Sequence, residues 1–120
     1  VTTHLSGVFA DYVKAVNAQD TDGIIALFAP DAYVNDARRE IRGVDAIRRW
    51  IEKEIVGDHI TMEVREVGQH YDETIVSSRY DGDFDKTNLP SEVILTDYFH
   101  VLEGRIVSLT VIRNEPSPYQ

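Results

Sequence analysis

A chain of 120 residues is sized for one domain with a real core, and a hydrophobic content of 42% with six tyrosines and four phenylalanines argues against disorder. A net charge of −9 argues against general nucleic-acid binding, and the lack of cysteine removes disulfide frameworks, thiolate metal sites and cysteine nucleophiles. No apolar run approaches a membrane span and no signal peptide opens the chain, so a cytoplasmic protein with no membrane partner is expected.

Residues 4–18 carry Leu5, Val8, Phe9, Tyr12, Val13 and Val16 at helical spacing, one stripe facing a core. Tyr12 sits mid-stripe, so its ring should be buried and its hydroxyl should need a partner, by default a backbone carbonyl. Asp20 or Thr21 can cap a short second helix, Asp22 to Phe28, ahead of Pro30. Residues 31–36 alternate, with Ala32, Val34 and Asp36 on the inner face; Arg38 to Gly43 reads as a loop or short strand. Val44, Ile47, Ile51 and Ile55 form a third helical stripe with Trp50 beside it, ended by Gly57. Alternating segments at 60–67, 74–80, 92–102 and 105–113 predict strands, the last two joined at Glu103-Gly104. Residues 114–120, with two prolines, predict an extended tail. Helices first and an antiparallel sheet after them is the α+β pattern, in a single domain over 1–120.

The strand at 92–102 carries the most telling residue. Val93, Leu95, Asp97, Phe99 and Val101 share one face, and four of the five are apolar. A carboxylate there is costly unless it is paired or loses its charge, so Asp97 either caps a loop, pairs with an arginine, or is a pocket acid held for chemistry. Tyr12, Asp36 and Asp97 all point inward from three separate elements. Buried polar groups need each other, water or a ligand, and a pocket lined by apolar residues meets that need.

Other patterns carry less. Six of the twelve basic residues lie between Arg38 and Lys53, which reads as the wet face of the third helix rather than an anion patch. Asp81, Asp83, Asp85, Thr87 and Glu92 mimic the offsets of a calcium loop, but Lys86 stands where its glycine belongs and Pro90 interrupts it, so an acidic hairpin loop is expected. The four histidines show no metal-ligand spacing, and no phosphate loop, dinucleotide fingerprint or serine-nucleophile motif is present. No metal or cofactor is expected.

Residues 12–36 (YVKAVNAQDTDGIIALFAPDAYVND) resemble the opening of Δ5-3-ketosteroid isomerase and its nuclear-transport-factor-2-like (NTF2-like) relatives, which include the SnoaL-like polyketide cyclases. Residues 95–112 (LTDYFHVLEGRIVSLTVI) resemble that superfamily's last hairpin. The resemblance implies a cone-shaped fold, three N-terminal helices over a curved, mixed, mostly antiparallel sheet, with a pocket in the cone. It also implies roles: Tyr12 as oxyanion tyrosine, Asp36 as proton-shuttling base, Asp97 as protonated oxyanion-hole acid. A carboxylic acid kept neutral by an apolar site is an established property of that isomerase, not a reading of this sequence. Trp50, Val76, Ser78, Leu109, Val111 and Arg113 would line the pocket. The pattern departs at Ala37, where the family usually has proline, and at Ser78 and Arg113, where a steroid pocket prefers apolar or aromatic groups.

The implied activity is proton abstraction and return next to the carbonyl of a small hydrophobic substrate. The alternatives are a non-catalytic small-molecule-binding or assembly module and a SnoaL-like cyclase or hydratase. A homodimer through the outer sheet face is expected, because Ile106, Ser108, Thr110 and Ile112 with Ile94, Thr96, Tyr98, His100 and Leu102 leave that face uncharged.

Overall fold

In the computed structural model, which describes residues 7–113, the elements run α1 (Gly7–Asn17), α2 (Thr21–Ile25), β1 (Phe28–Asp36), β2 (Arg39–Arg42), α3 (Val44–Trp50), β3 (Thr61–His70), β4 (Glu73–Asp81), β5 (Val93–Leu102) and β6 (Arg105–Arg113). Helix α3 continues as a π-helical stretch, Ile51–Val56. One six-stranded sheet has the order β2-β1-β6-β5-β4-β3; β1 and β6 are parallel and the other neighbours antiparallel. The expected start of the first helix at residues 4–6, His4 and the tail 114–120 lie outside the described residues. Among the described residues no helix is long and apolar enough to cross a membrane.

The expectation of three N-terminal helices is met only in part. Helices α1 and α2 precede the sheet, but the β1–β2 hairpin comes before α3. Its turn, Ala37-Arg38, has both residues at positive φ (52° and 74°), the backbone of the tight turn that suits the twist of paired strands. Neither residue is glycine, so the turn is strained by roughly 1 kcal/mol or more per residue. Proline could not occupy position 37 at that φ, which is a physical reason for alanine there.

Asp20 caps α2 as expected, accepting from Gly23 N at 3.0 Å. The helix ends at Ile25 rather than Phe28 because the sheet takes the chain: Leu27 O accepts from Ile106 N at 2.8 Å and Phe28 pairs with Ile106. Pro30 lies in the irregular part of β1 between Phe28 and Tyr33, where its missing N–H is least disruptive. Pairing of β5 with β6 shifts register between His100 and Val101, so Ile106 turns inward and is fully buried. That corrects its expected place on the outer face.

The core lies between the helices and the inner face of the sheet. Tyr12 and Val16 of α1 are buried, and Phe99 receives the rings of Tyr12 at 5.2 Å and Phe9 at 5.5 Å, both edge-on. Asn17 fixes the end of α1 to β3 by donating to Met62 O (3.0 Å) and accepting from Met62 N (2.7 Å). These contacts hold α1, and with it Tyr12, in one position over the sheet.

Candidate functional site

A cavity of about 230 Å³ opens between the inner sheet face, α1 and the π-helical extension of α3. Its wall is mostly apolar, with Trp50, Ile55, Ile60, Val93, Leu95 and Val111. Tyr12, Asp36, Glu54, Asp58, Tyr80 and Arg113 bring polar groups to it. The loop between β4 and β5 adds Phe84 and Leu89. That loop is tied down where Asp83 N donates to Asp58 O at 2.7 Å. At Gly82 a side chain would meet the Asp58 carbonyl 2.7 Å away, so glycine permits the close approach.

Asp36 is the last residue of β1, next to the strained turn, and its side chain is 21% exposed. Its Oδ2 accepts from Trp50 Nε1 at 3.0 Å and from Arg39 Nη2 at 2.5 Å. Arg39 also forks onto Glu54, at 2.6 and 2.8 Å. Two donors converge on Oδ2, while Oδ1 receives no hydrogen bond among the described residues. Arg39 and Trp50 thus hold one oxygen and leave the other open as an acceptor.

Asp97 is the opposite case. It is fully enclosed, and Tyr80 Oη donates to its Oδ2 at 2.6 Å; its Oδ1 meets no partner among the described residues. It neither caps a loop nor pairs with an arginine. Burial pushes its carboxyl up to about 7; the Tyr80 hydrogen bond opposes the rise and the negative charge of Asp36 adds to it. Burial first, then the charges of Asp97 and Asp36, also hold the Tyr12 hydroxyl well above its ordinary value. The Tyr80 hydroxyl is raised likewise, by burial and then by Asp97. Both tyrosines therefore keep their protons, and Tyr12 Oη makes no hydrogen bond among the described residues.

Of the expected site residues, Tyr12, Asp36, Trp50, Val111 and Arg113 line the cavity. Asp97 is not on the wall and reaches it through Tyr80. Val76, Ser78 and Leu109 are wholly buried and also off the wall; the Ser78 hydroxyl has no partner among the described residues. Sequence reasoning missed Tyr80, Arg39 and Glu54. Tyr80 was within reach, since Thr74, Val76, Ser78 and Tyr80 alternate on one face and all four are buried. Arg39 was not, because only the turn places it against Asp36.

The acidic segment at 81–92 does lie between paired strands β4 and β5. Asp81 pairs with Lys86, Asp83 with His59, and Asp85 accepts from Thr87 N, so its carboxylates point to separate partners. Of the basic residues around α3, Arg39 pairs with Asp36 and Glu54, Arg42 with Glu40, and Arg48 with Asp22 at 2.9 Å.

The chain belongs to the SnoaL-like domain family of the NTF2-like superfamily, whose family model matches residues 9–109. It is similar to the structure of a candidate polyketide cyclase from Sinorhizobium meliloti, at 31% identity and a TM-score of 0.80, covering 90% of this chain and 95% of that one. The epoxide hydrolase/cyclase-like enzyme SalBIII of pyran ring formation in salinomycin shares the fold at 22% identity, with a TM-score of 0.76 and 89% and 88% of the two chains covered. So does a protein of ketosteroid isomerase-like fold from Catenulispora acidiphila in complex with trimethylamine, at 14% identity and a TM-score of 0.76, covering 91% and 86%.

Proposed function

We propose that this protein is an enzyme that removes a proton from the carbon next to a carbonyl of a small, largely apolar molecule and returns it at another carbon. The observation that carries this is the contrast between two aspartates, Asp36 on the cavity wall and Asp97 behind Tyr80. Asp36 is held by Arg39 and Trp50 at one oxygen and keeps the other free, and Asp97 is a buried acid with no cation beside it among the described residues. Asp36 takes the proton through Oδ1, with Trp50 and Arg39 holding Oδ2. The negative charge that develops on the carbonyl oxygen is met on the other side, where Tyr12 lines the cavity and the protonated Asp97 lies behind Tyr80. An enclosed volume of about 230 Å³ is below the roughly 300–1,000 Å³ of drug-sized sites, so a steroid would protrude and a smaller ring fits.

Similarity to the Sinorhizobium meliloti protein supports a second reading, in which the same abstraction starts a ring closure instead of a shift. The two part after the first step, and one experiment covers both. 3-Cyclohexen-1-one and a Δ5-3-ketosteroid are offered as substrates, with new ultraviolet absorbance reporting the conjugated isomer. Exchange of α-hydrogens with heavy water, read by NMR, reports abstraction alone. Isomerisation of either ketone supports the shift; exchange without isomerisation favours ring closure. Neither event with the wild-type protein rejects proton abstraction and leaves a binding module.

We also propose a homodimer through the outer sheet face. Ile75 and Ser77 of β4, Thr96 and Tyr98 of β5, and Thr110 and Ile112 of β6 are neighbours across that face and carry no charge, and Ile112 is 48% exposed. Sedimentation equilibrium at micromolar concentration should give twice the chain mass, and a monomer there ends the idea.

A further inference from the structure

Two tyrosines, Tyr12 and Tyr80, line the cavity, and the buried acid bonded to Tyr80 does not reach the wall. Asp97 has a single hydrogen-bonding route out of its enclosure. Among the described residues one oxygen has no partner, and the other meets the Tyr80 hydroxyl at 2.6 Å. Tyr80, by contrast, faces both ways: its oxygen is bonded to Asp97 and its ring is part of the wall.

We propose that Tyr80 is a catalytic residue that donates to the ligand's oxygen beside Tyr12, and that Asp97 is a positioning residue acting only through Tyr80. The inference rests on the oxyanion reading above and goes further by moving the contact from the acid to the tyrosine. A phenolic hydroxyl has one proton to give and lone pairs to receive with. When Asp97 carries a proton it donates to the Tyr80 oxygen, and the Tyr80 proton turns to the cavity. When Asp97 is ionised, the Tyr80 proton is held on the carboxylate and its lone pairs face the ligand. The first arrangement binds an oxyanion and the second repels it. No covalent bond changes; the two protons only reorient along one chain.

Such a switch must survive the other charges around it. Facing the pair are Tyr12 from α1, Asp36 from β1, Glu54 and Asp58 at and beyond the π-helical stretch, and Arg113 from β6. Arg39 already neutralises part of Asp36 and Glu54. Burial and then the charge of Asp36 favour a proton on Asp97, and the Tyr80 hydrogen bond opposes it. With the Asp97 carboxyl raised to about 7, the donor arrangement is present below that pH and is lost as pH rises through it.

The test uses pentafluorophenolate, an oxyanion that stays ionised near neutral pH, with binding read by fluorine NMR. Wild-type affinity should be greatest near pH 6 and fall by up to about tenfold per pH unit above the Asp97 transition. Tyr80→Phe should lose roughly tenfold or more at pH 6 and show a flat pH profile. Asp97→Asn, whose amide can still donate to Tyr80, should keep the pH 6 affinity and be flat as well. A circular-dichroism melt checks that both variants fold. If Tyr80→Phe binds as the wild type does, with the same pH dependence, Asp97 touches the ligand directly and the inference falls while the oxyanion reading stands. If the wild-type protein binds no phenolate, both fall.

Discussion

Two aspartates sit at inner-face positions of neighbouring parts of one sheet, and their surroundings make them different reagents. Asp36 is at the open edge, one-fifth exposed, with a guanidinium and an indole N–H on one oxygen. Asp97 is at the closed end, fully buried, with a tyrosine as its one hydrogen-bond partner among the described residues. The same carboxyl group meets solvent and a cation in one place and is shut away from both in the other, where burial raises it toward the neutral form. The residue type fixes the range of chemistry, and the local dielectric and partners choose within it.

The largest expected effect tests the open edge. Asp36→Asn keeps the shape and deletes the base, so turnover or α-hydrogen exchange should fall about a thousandfold, ~4 kcal/mol of barrier. A variant that keeps a third of the rate would show that Asp36 is not the base, and the contrast would lose one side.

The closed end is tested by stability. A carboxyl raised when folded binds its proton more tightly in the native state than in the unfolded one. Its contribution is therefore complete below the ordinary carboxylate range, near pH 4, and is lost as pH rises to about 7. Over that window the wild-type protein should lose on the order of 3 to 4 kcal/mol relative to Asp97→Asn, which has nothing to titrate there. Urea unfolding of both proteins at pH 4 and pH 8 measures the difference. Parallel pH dependences would mean that Asp97 is not an isolated buried acid.

The smallest effect sharpens the comparison. Arg39→Ala removes a cation that is 54% exposed, from an ion-pair network open to water. Folding stability should change by less than about 1 kcal/mol. A loss of 3 kcal/mol in the same urea experiment would make the edge as dry as the closed end and erase the distinction drawn between the two carboxyls.

Much of the frame was legible because periodicity records which side of an element meets the core. The strands at 74–80, 92–102 and 105–113 were placed within a residue or two, and so were Asp20 as cap and the inward faces of Tyr12, Asp36 and Asp97. Where the reading erred, a distant segment had overruled a local pattern. Helix α2 stops early because Ile106, some eighty positions along, takes the Leu27 carbonyl. Ile106 itself turns inward because one register shift reverses which face a residue occupies.

The candidate site divides in the same way. Sequence alone determined that three polar side chains would point to the inner face, since alternation and helical spacing are properties of neighbouring residues. It could not determine what each would meet there. That Asp97 lies behind Tyr80, that Arg39 spans Asp36 and Glu54, and that Phe84 and Leu89 line the cavity are contacts between segments remote in the chain. Only the folded chain decides which groups share a dry enclosure and which keep solvent contact and a counter-charge.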